Sequence, residues 1–179
     1  IAEQTIETAT EAFVRFREAI DRHGARWTRA VATSAMREAL NGELFQDRIN
    51  QASGIDVEVI GSEEEARLIY TAVNGRVDLH DKLAVLVDIG GGSTEITLAS
   101  DDGILSTESY RMGSVRLLRT LGDQAHGEQH IHQLIQEYVD ATQRRIRREL
   151  GKQKIDLCIG TGGSVDSLGD LRLELLGRD

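Results

Sequence analysis

Apolar positions along this chain recur in two rhythms, and the change between them divides the sequence. Over residues 4–22, Ala12, Phe13, Phe16 and Ile20 share a stripe at helical spacing, and His23-Gly24 ends the run. Residues 27–33 (WTRAVAT) read as a strand. Ser34 then caps a second helix, with Met36, Leu40, Leu44 and Phe45 facing inward and Ser53-Gly54 as its stop. Residues 55–60 (IDVEVI) alternate like a strand. Ser62 starts a third helix that runs through Val73 to Asn74-Gly75. The order α-β-α-β-α is that of a layered α/β unit.

After the polar residues 76–82 the pattern changes. Residues 83–89 form a continuous apolar run, the signature of a strand buried on both faces. A strand at 94–98, a turn at Asp101-Asp102-Gly103 and a strand at 104–110 follow as a hairpin. Helices are expected at 113–121 and 129–150, the second with Ile131, Leu134, Ile135, Tyr138, Val139 and Ile146 on one face. A strand at 155–159, a glycine loop at 160–163 and a last helix complete the chain. Two α/β domains are therefore expected, over residues 1–78 and 79–179.

Composition narrows the function classes. The formal charge of −9 argues against broad binding of nucleic acid or of a membrane surface. It leaves room for an anionic ligand held by local backbone donors. A single cysteine, Cys158, rules out an internal disulfide and suits a reducing, cytoplasmic compartment. As a residue within a strand it is expected to be buried. No apolar run approaches the roughly 20 residues of a membrane helix. The chain opens on Ile1 inside an amphipathic pattern, as expected of a piece of a longer protein.

Candidate chemistry centres on Asp88-Ile89-Gly90-Gly91-Gly92-Ser93-Thr94-Glu95, which joins two strands. Glycines let backbone N–H groups converge on one anion, and Ser93 adds a hydroxyl. Asp88 and Glu95 flank the loop and suit a divalent cation. The alternative is a tight hairpin with exposed acids. A second loop, Gly160-Thr161-Gly162-Gly163-Ser164, follows a strand and opens a helix, where N–H groups and the helix dipole favour anions. Two such loops in one half suggest two walls of one phosphate site, with Gly162 and Gly163 in the second. Ser62-x-x-Glu65 is also a capping box, which would make Glu65 structural. Arg144, Arg145, Arg147 and Arg148 read as a solvated helix face, with polyphosphate contact as the sharper alternative. His126, His130 and His132 sit close together but make too few ligands for a closed metal site.

The motifs DIGGGSTE, RMGSVRL (residues 111–117), ATSAMREALN (32–41) and VIGSEEEARLIY (59–70), together with GTGG, resemble the exopolyphosphatase and guanosine pentaphosphate phosphohydrolase (Ppx/GppA) family. That resemblance implies the actin-like ATPase (ribonuclease H-like) fold, with two α/β domains around a cleft. It implies water attack on the terminal phosphoanhydride of polyphosphate or guanosine pentaphosphate, with Mg²⁺ as cofactor. A non-catalytic sensor of these anions is the alternative. Glu65 matches the family's catalytic base and Arg37 its phosphate-binding arginine. Gly90, Gly91, Gly92 and Ser93 match its phosphate loop, and Asp88 and Glu95 its acids for metal and water. The family also implies a homodimer and a further N-terminal phosphate loop that this chain does not supply. The first domain is thus expected to be truncated, and the isolated piece nearly inactive.

Overall fold

The computed structural model describes residues 1–122 and 128–177. Two compact units divide between Gly61 and Ser62. The first holds α1 (Glu3–His23), β1 (Ala30–Ala32), α2 (Ser34–Arg37), α3 (Gly42–Ser53) and β2 (Val57–Val59). β1 and β2 pair in parallel, joined by the helical crossover that parallel strands require. Ile6 of α1, Met36, Phe45, Ile49 and Val57 form its core, flanked by Ala9, Phe13, Ala30, Ala32 and Val59. Gly24 and Gly54 end α1 and α3 in the left-handed conformation, at φ 60° and 66°.

Three local expectations fail in this unit. The region 34–53 is two helices, not one. Ala39 N–H turns back to the Met36 carbonyl and Gly42 N–H to that of Ala39, which reverses the chain. A Cβ at Gly42 would sit 2.8 Å from the Met36 carbonyl oxygen, so this reversal needs glycine. Leu40 and Leu44 consequently face solvent, while Met36 and Phe45 are buried. The strand expected over 27–33 shortens to Ala30–Ala32 because its partner β2 is only three residues long, and Trp27 is exposed. Phe16 is exposed too, with its ring edge against Phe13.

The second unit holds α4 (Ser62–Asn74), β3 (Ala84–Ile89), β4 (Thr94–Ser100), β5 (Gly103–Tyr110), α5 (Ser114–Gly122), α6 (Glu128–Leu150), β6 (Leu157–Thr161) and α7 (Gly163–Leu176). Its sheet has the order β5-β4-β3-β6. The first three strands form an antiparallel meander, and β6 joins β3 in parallel. Central β3 is buried at Ala84, Val85 and Leu86, as the apolar run that precedes Asp88 predicts. A bulge at Leu98/Ala99 leaves Leu105 of β5 without a partner.

The expected boundary at 78/79 shifts, because α4 packs with the second unit. Its Ile69, Tyr70 and Val73 join Leu79, Ala84, Leu86 and Ala99 in one core, and the Tyr70 hydroxyl donates to the Ser100 carbonyl at 2.9 Å. Cys158, expected to be buried, is exposed on β6, an edge strand among the described residues. Arg145 departs from the solvated run. Only 13% of its side chain is exposed; it donates to the Ile96 carbonyl and lies 3.5 Å from Glu108.

Candidate active site

The two glycine loops leave the carboxyl ends of adjacent parallel strands, β3 and β6. Ligands of open α/β sheets bind at such ends. Within the first loop, Gly90 N–H donates to the Ser93 carbonyl and closes the turn. The carbonyls of Gly90, Gly91 and Gly92 are held by the start of α5. They accept from Ser114 N–H, Arg116 N–H and Arg116 Nε at 3.0, 3.0 and 2.8 Å. The N–H groups of Gly91, Gly92 and Ser93 meet no protein acceptor among the described residues. A turn whose carbonyls are tied and whose donors are left open is electrostatically suited to an anion. The RMGSVRL motif thus has a structural role: it clamps the loop.

Asp88 and Glu95 face each other in register across β3 and β4. Glu65, in the first turn of α4, brings a third carboxylate, and one oxygen from each lies within 4.8 Å of the others. Whatever part Glu65 takes in starting α4, its carboxylate lies in this cluster. Its neighbour Glu64 instead pairs with Arg67 at 2.6 and 2.9 Å, which holds the guanidinium pKa above its usual range. Glu95 is 2% exposed. Its Oε1 accepts from Ser109 Oγ at 2.7 Å, and its buried Oε2 has no protein partner. A buried carboxylate oxygen left unpaired is costly, and a cation would relieve it. Three hard oxygen donors suit a divalent cation of the Mg²⁺ or Ca²⁺ kind.

Residues 1–172 match the model of the Ppx/GppA phosphatase family. The chain belongs to that family. It is 28% identical over 176 residues to the guanosine-5'-triphosphate,3'-diphosphate pyrophosphatase of Photobacterium profundum, covering 97% of this chain and 35% of that protein. The protein of the same name from Vibrio atlanticus is 32% identical over 146 residues, 81% of this chain and 29% of its own length. The crystal structure of an exopolyphosphatase from Cytophaga hutchinsonii superposes with a TM-score of 0.84 at 28% identity, over 97% of this chain and 56% of that one. The Aquifex aeolicus family member gives 0.68 at 29% identity, over 100% of this chain and 56% of its own. The chain thus spans about a third of the curated relatives and about half of the crystal structures that it matches. Membership bears out the expected family and α/β fold class.

The other family positions are placed as follows. Arg37 ends α2 in the first unit, where its Nη1 donates to the Ile60 carbonyl at 2.6 Å. The carboxylates and both glycine loops belong to the second unit. Gly162 caps α7 at φ 93°, and a Cβ there would lie 2.6 Å from the Ile89 carbonyl oxygen. Close packing on β3 therefore accounts for that glycine without a ligand, whereas a Cβ at Gly163 meets nothing within 4 Å. His126 and the side chain of His130 lie outside the described residues, and His132 is exposed. Sequence reasoning missed Ser109, Thr161, Gly113 and Arg116. The only signal for the last two was their place in RMGSVRL, and the first two depend on strand register.

Proposed function

We propose that this chain carries part of a phosphoanhydride hydrolase site, one that releases terminal phosphate from inorganic polyphosphate or guanosine pentaphosphate. The observation that carries this reading is the Glu65, Asp88 and Glu95 cluster, with its unpaired buried oxygen on Glu95. Family membership and the names of the relatives support the substrate class.

The chemistry follows from charge. A terminal phosphoryl group carries several negative oxygens, and hydrolysis needs them neutralised and a water aligned. Gly91, Gly92 and Ser93 would donate N–H groups to those oxygens. Asp88 and Glu95 would hold the divalent cation, proposed to be Mg²⁺, which supplies charge neutralisation when bound. Glu65 would orient the attacking water and accept its proton at a carboxylate oxygen. The shortened polyphosphate or the nucleotide leaves as an oxyanion. Arg37 is proposed as a phosphate ligand on the strength of its motif, because a guanidinium binds phosphate oxygens bidentately. Gly162 and Gly163 are proposed to add donors from the α7 N-terminus. Homodimerisation of the whole protein and a cytoplasmic location complete the reading. No helix among the described residues is long and apolar enough to cross a membrane.

Glu65→Gln in the whole protein is expected to lower kcat by about 10²- to 10⁴-fold, the range for a lost general base. Phosphate release from polyphosphate, guanosine pentaphosphate and ATP is the assay, with thermal unfolding to verify the fold. Full turnover in a folded Glu65→Gln variant would remove this carboxylate from the mechanism. Binding without release by the wild type would support the sensor instead.

A further inference from the structure

Four polar side chains stand in one transverse row of the second unit's sheet. Ser109 of β5 is in register with Glu95 of β4, Glu95 with Asp88 of β3, and Asp88 with Thr161 of β6. Directly opposed residues project from the same face of a sheet, and like charges so placed repel. The row therefore reads hydroxyl, acid, acid, hydroxyl, with a repulsive pair at its centre. Each outer hydroxyl donates inward: Ser109 Oγ to Glu95 Oε1 at 2.7 Å, and Thr161 Oγ1 to Asp88 Oδ1 at 2.6 Å. Each bond engages one oxygen of its acid. The other oxygen of Glu95 is buried and unpartnered.

We propose that Ser109 and Thr161 are positioning residues, which fix the planes of Glu95 and Asp88 so that each carboxylate presents its second oxygen to a divalent cation. The inference rests on reading the carboxylate cluster as a cation site. The terminal torsion of a carboxylate is broad and roughly two-fold, so a donor on one oxygen removes the main remaining freedom. A hydroxyl suits the task better than a lysine or arginine. It orients the acid without cancelling the charge that attracts the cation. Groups that orient metal ligands in this way typically contribute about 10- to 100-fold to affinity.

Mn²⁺ titration followed by paramagnetic resonance, which counts free against bound ion, tests this on the whole chain. Wild type, Ser109→Ala, Thr161→Val and Ser109→Thr are compared, each with its thermal unfolding measured without metal. Ser109→Ala and Thr161→Val should each weaken Mn²⁺ binding by about 10- to 100-fold. Ser109→Thr keeps the hydroxyl on a β-branched residue that a strand accepts, and should retain wild-type affinity. This rescue separates positioning from packing, since a packing role would make the larger residue the worse one. Wild-type affinity in both Ser109→Ala and Thr161→Val overturns the positioning role and leaves the cation site standing. Loss in one alone overturns the claim for the other residue. Absence of Mn²⁺ binding by the wild type overturns the cation site and the positioning role together.

Discussion

Gly113 has no room for a side chain. A Cβ there would lie 2.3 to 2.4 Å from backbone atoms of Gly91 and Gly92, so the start of α5 meets the triple-glycine loop backbone to backbone. None of Gly90, Gly91 and Gly92 has a positive φ, so left-handed conformation does not explain the three glycines. Crowding by the chain itself bears on two of them: a Cβ would lie 3.3 Å from the Ser93 carbonyl oxygen at Gly90 and 3.2 Å from Val115 Cγ2 at Gly91. Gly113→Ala is therefore expected to destabilise the fold by about 1–3 kcal/mol, the usual cost of overpacking, in a urea melt. Unchanged stability would mean that the loop and α5 are not in contact in solution. The open N–H groups on the same loop give a second test. Gly91→Val should abolish binding of a short polyphosphate in calorimetric titration, because a β-branched residue restricts the backbone that carries the donors. A Cβ at Gly91 also comes within 3.2 Å of Val115 Cγ2, so the exchange is best made together with Val115→Ala. Affinity equal to that of the Val115→Ala parent would favour a plain hairpin over an anion site.

At the scale of elements, Arg145 shows how a helix can use its polar face for cohesion. Arg144, Arg147 and Arg148 are exposed on α6, but Arg145 turns onto the sheet, bonded to the Ile96 carbonyl and near Glu108 and Glu149. Arg145→Ala is expected to cost about 1–3 kcal/mol, because a charge-assisted bond to the Ile96 carbonyl and the packing of a largely buried side chain are lost. Arg144→Ala should stay within about 0.5 kcal/mol, as surface substitutions do. Equal effects in thermal melts would return Arg145 to the solvated face. The same contrast bears on what the sequence made legible. Periodicity tells which positions are buried but not what they are buried against. It identified β3, because a central strand loses water on both faces, and it found Met36 and Phe45. It could not show the reversal between those two residues, which depends on Gly42 passing the Met36 carbonyl. Nor could it show that α4 packs on the sheet that follows it in the chain. Asp88 and Glu95 were legible because a short hairpin fixes their register. The Ser109 and Thr161 contacts were not, because one depends on a bulged pairing and the other on a parallel pairing of strands far apart in sequence.

For the molecule as a whole, the second unit gathers the carboxylates, the open N–H groups and the row of hydroxyls at one end of a four-stranded sheet. Its acidic cluster would let a chain of net charge −9 serve the anionic substrate proposed for it. A bound cation reverses the local sign of the field, whatever the overall charge. The cation should also act as a local clamp. It would be held by Asp88 of β3 and Glu95 of β4, with Glu65 of α4 beside it orienting a water, so binding stabilises those elements by mass action. At a hundred times its dissociation constant the gain is about 2.7 kcal/mol. Hydrogen exchange followed by mass spectrometry can localise that gain. Saturating Mg²⁺ should slow exchange in α4 and in β3 to β5, and removing it with a chelator should reverse the effect. The amides of α1, β1 and β2 contribute none of the three carboxylates, and their exchange should be unaffected by the ion. Protection spread evenly over both units, or confined to the first, would mean that the cation binds elsewhere and that the clustered carboxylates do not form its site.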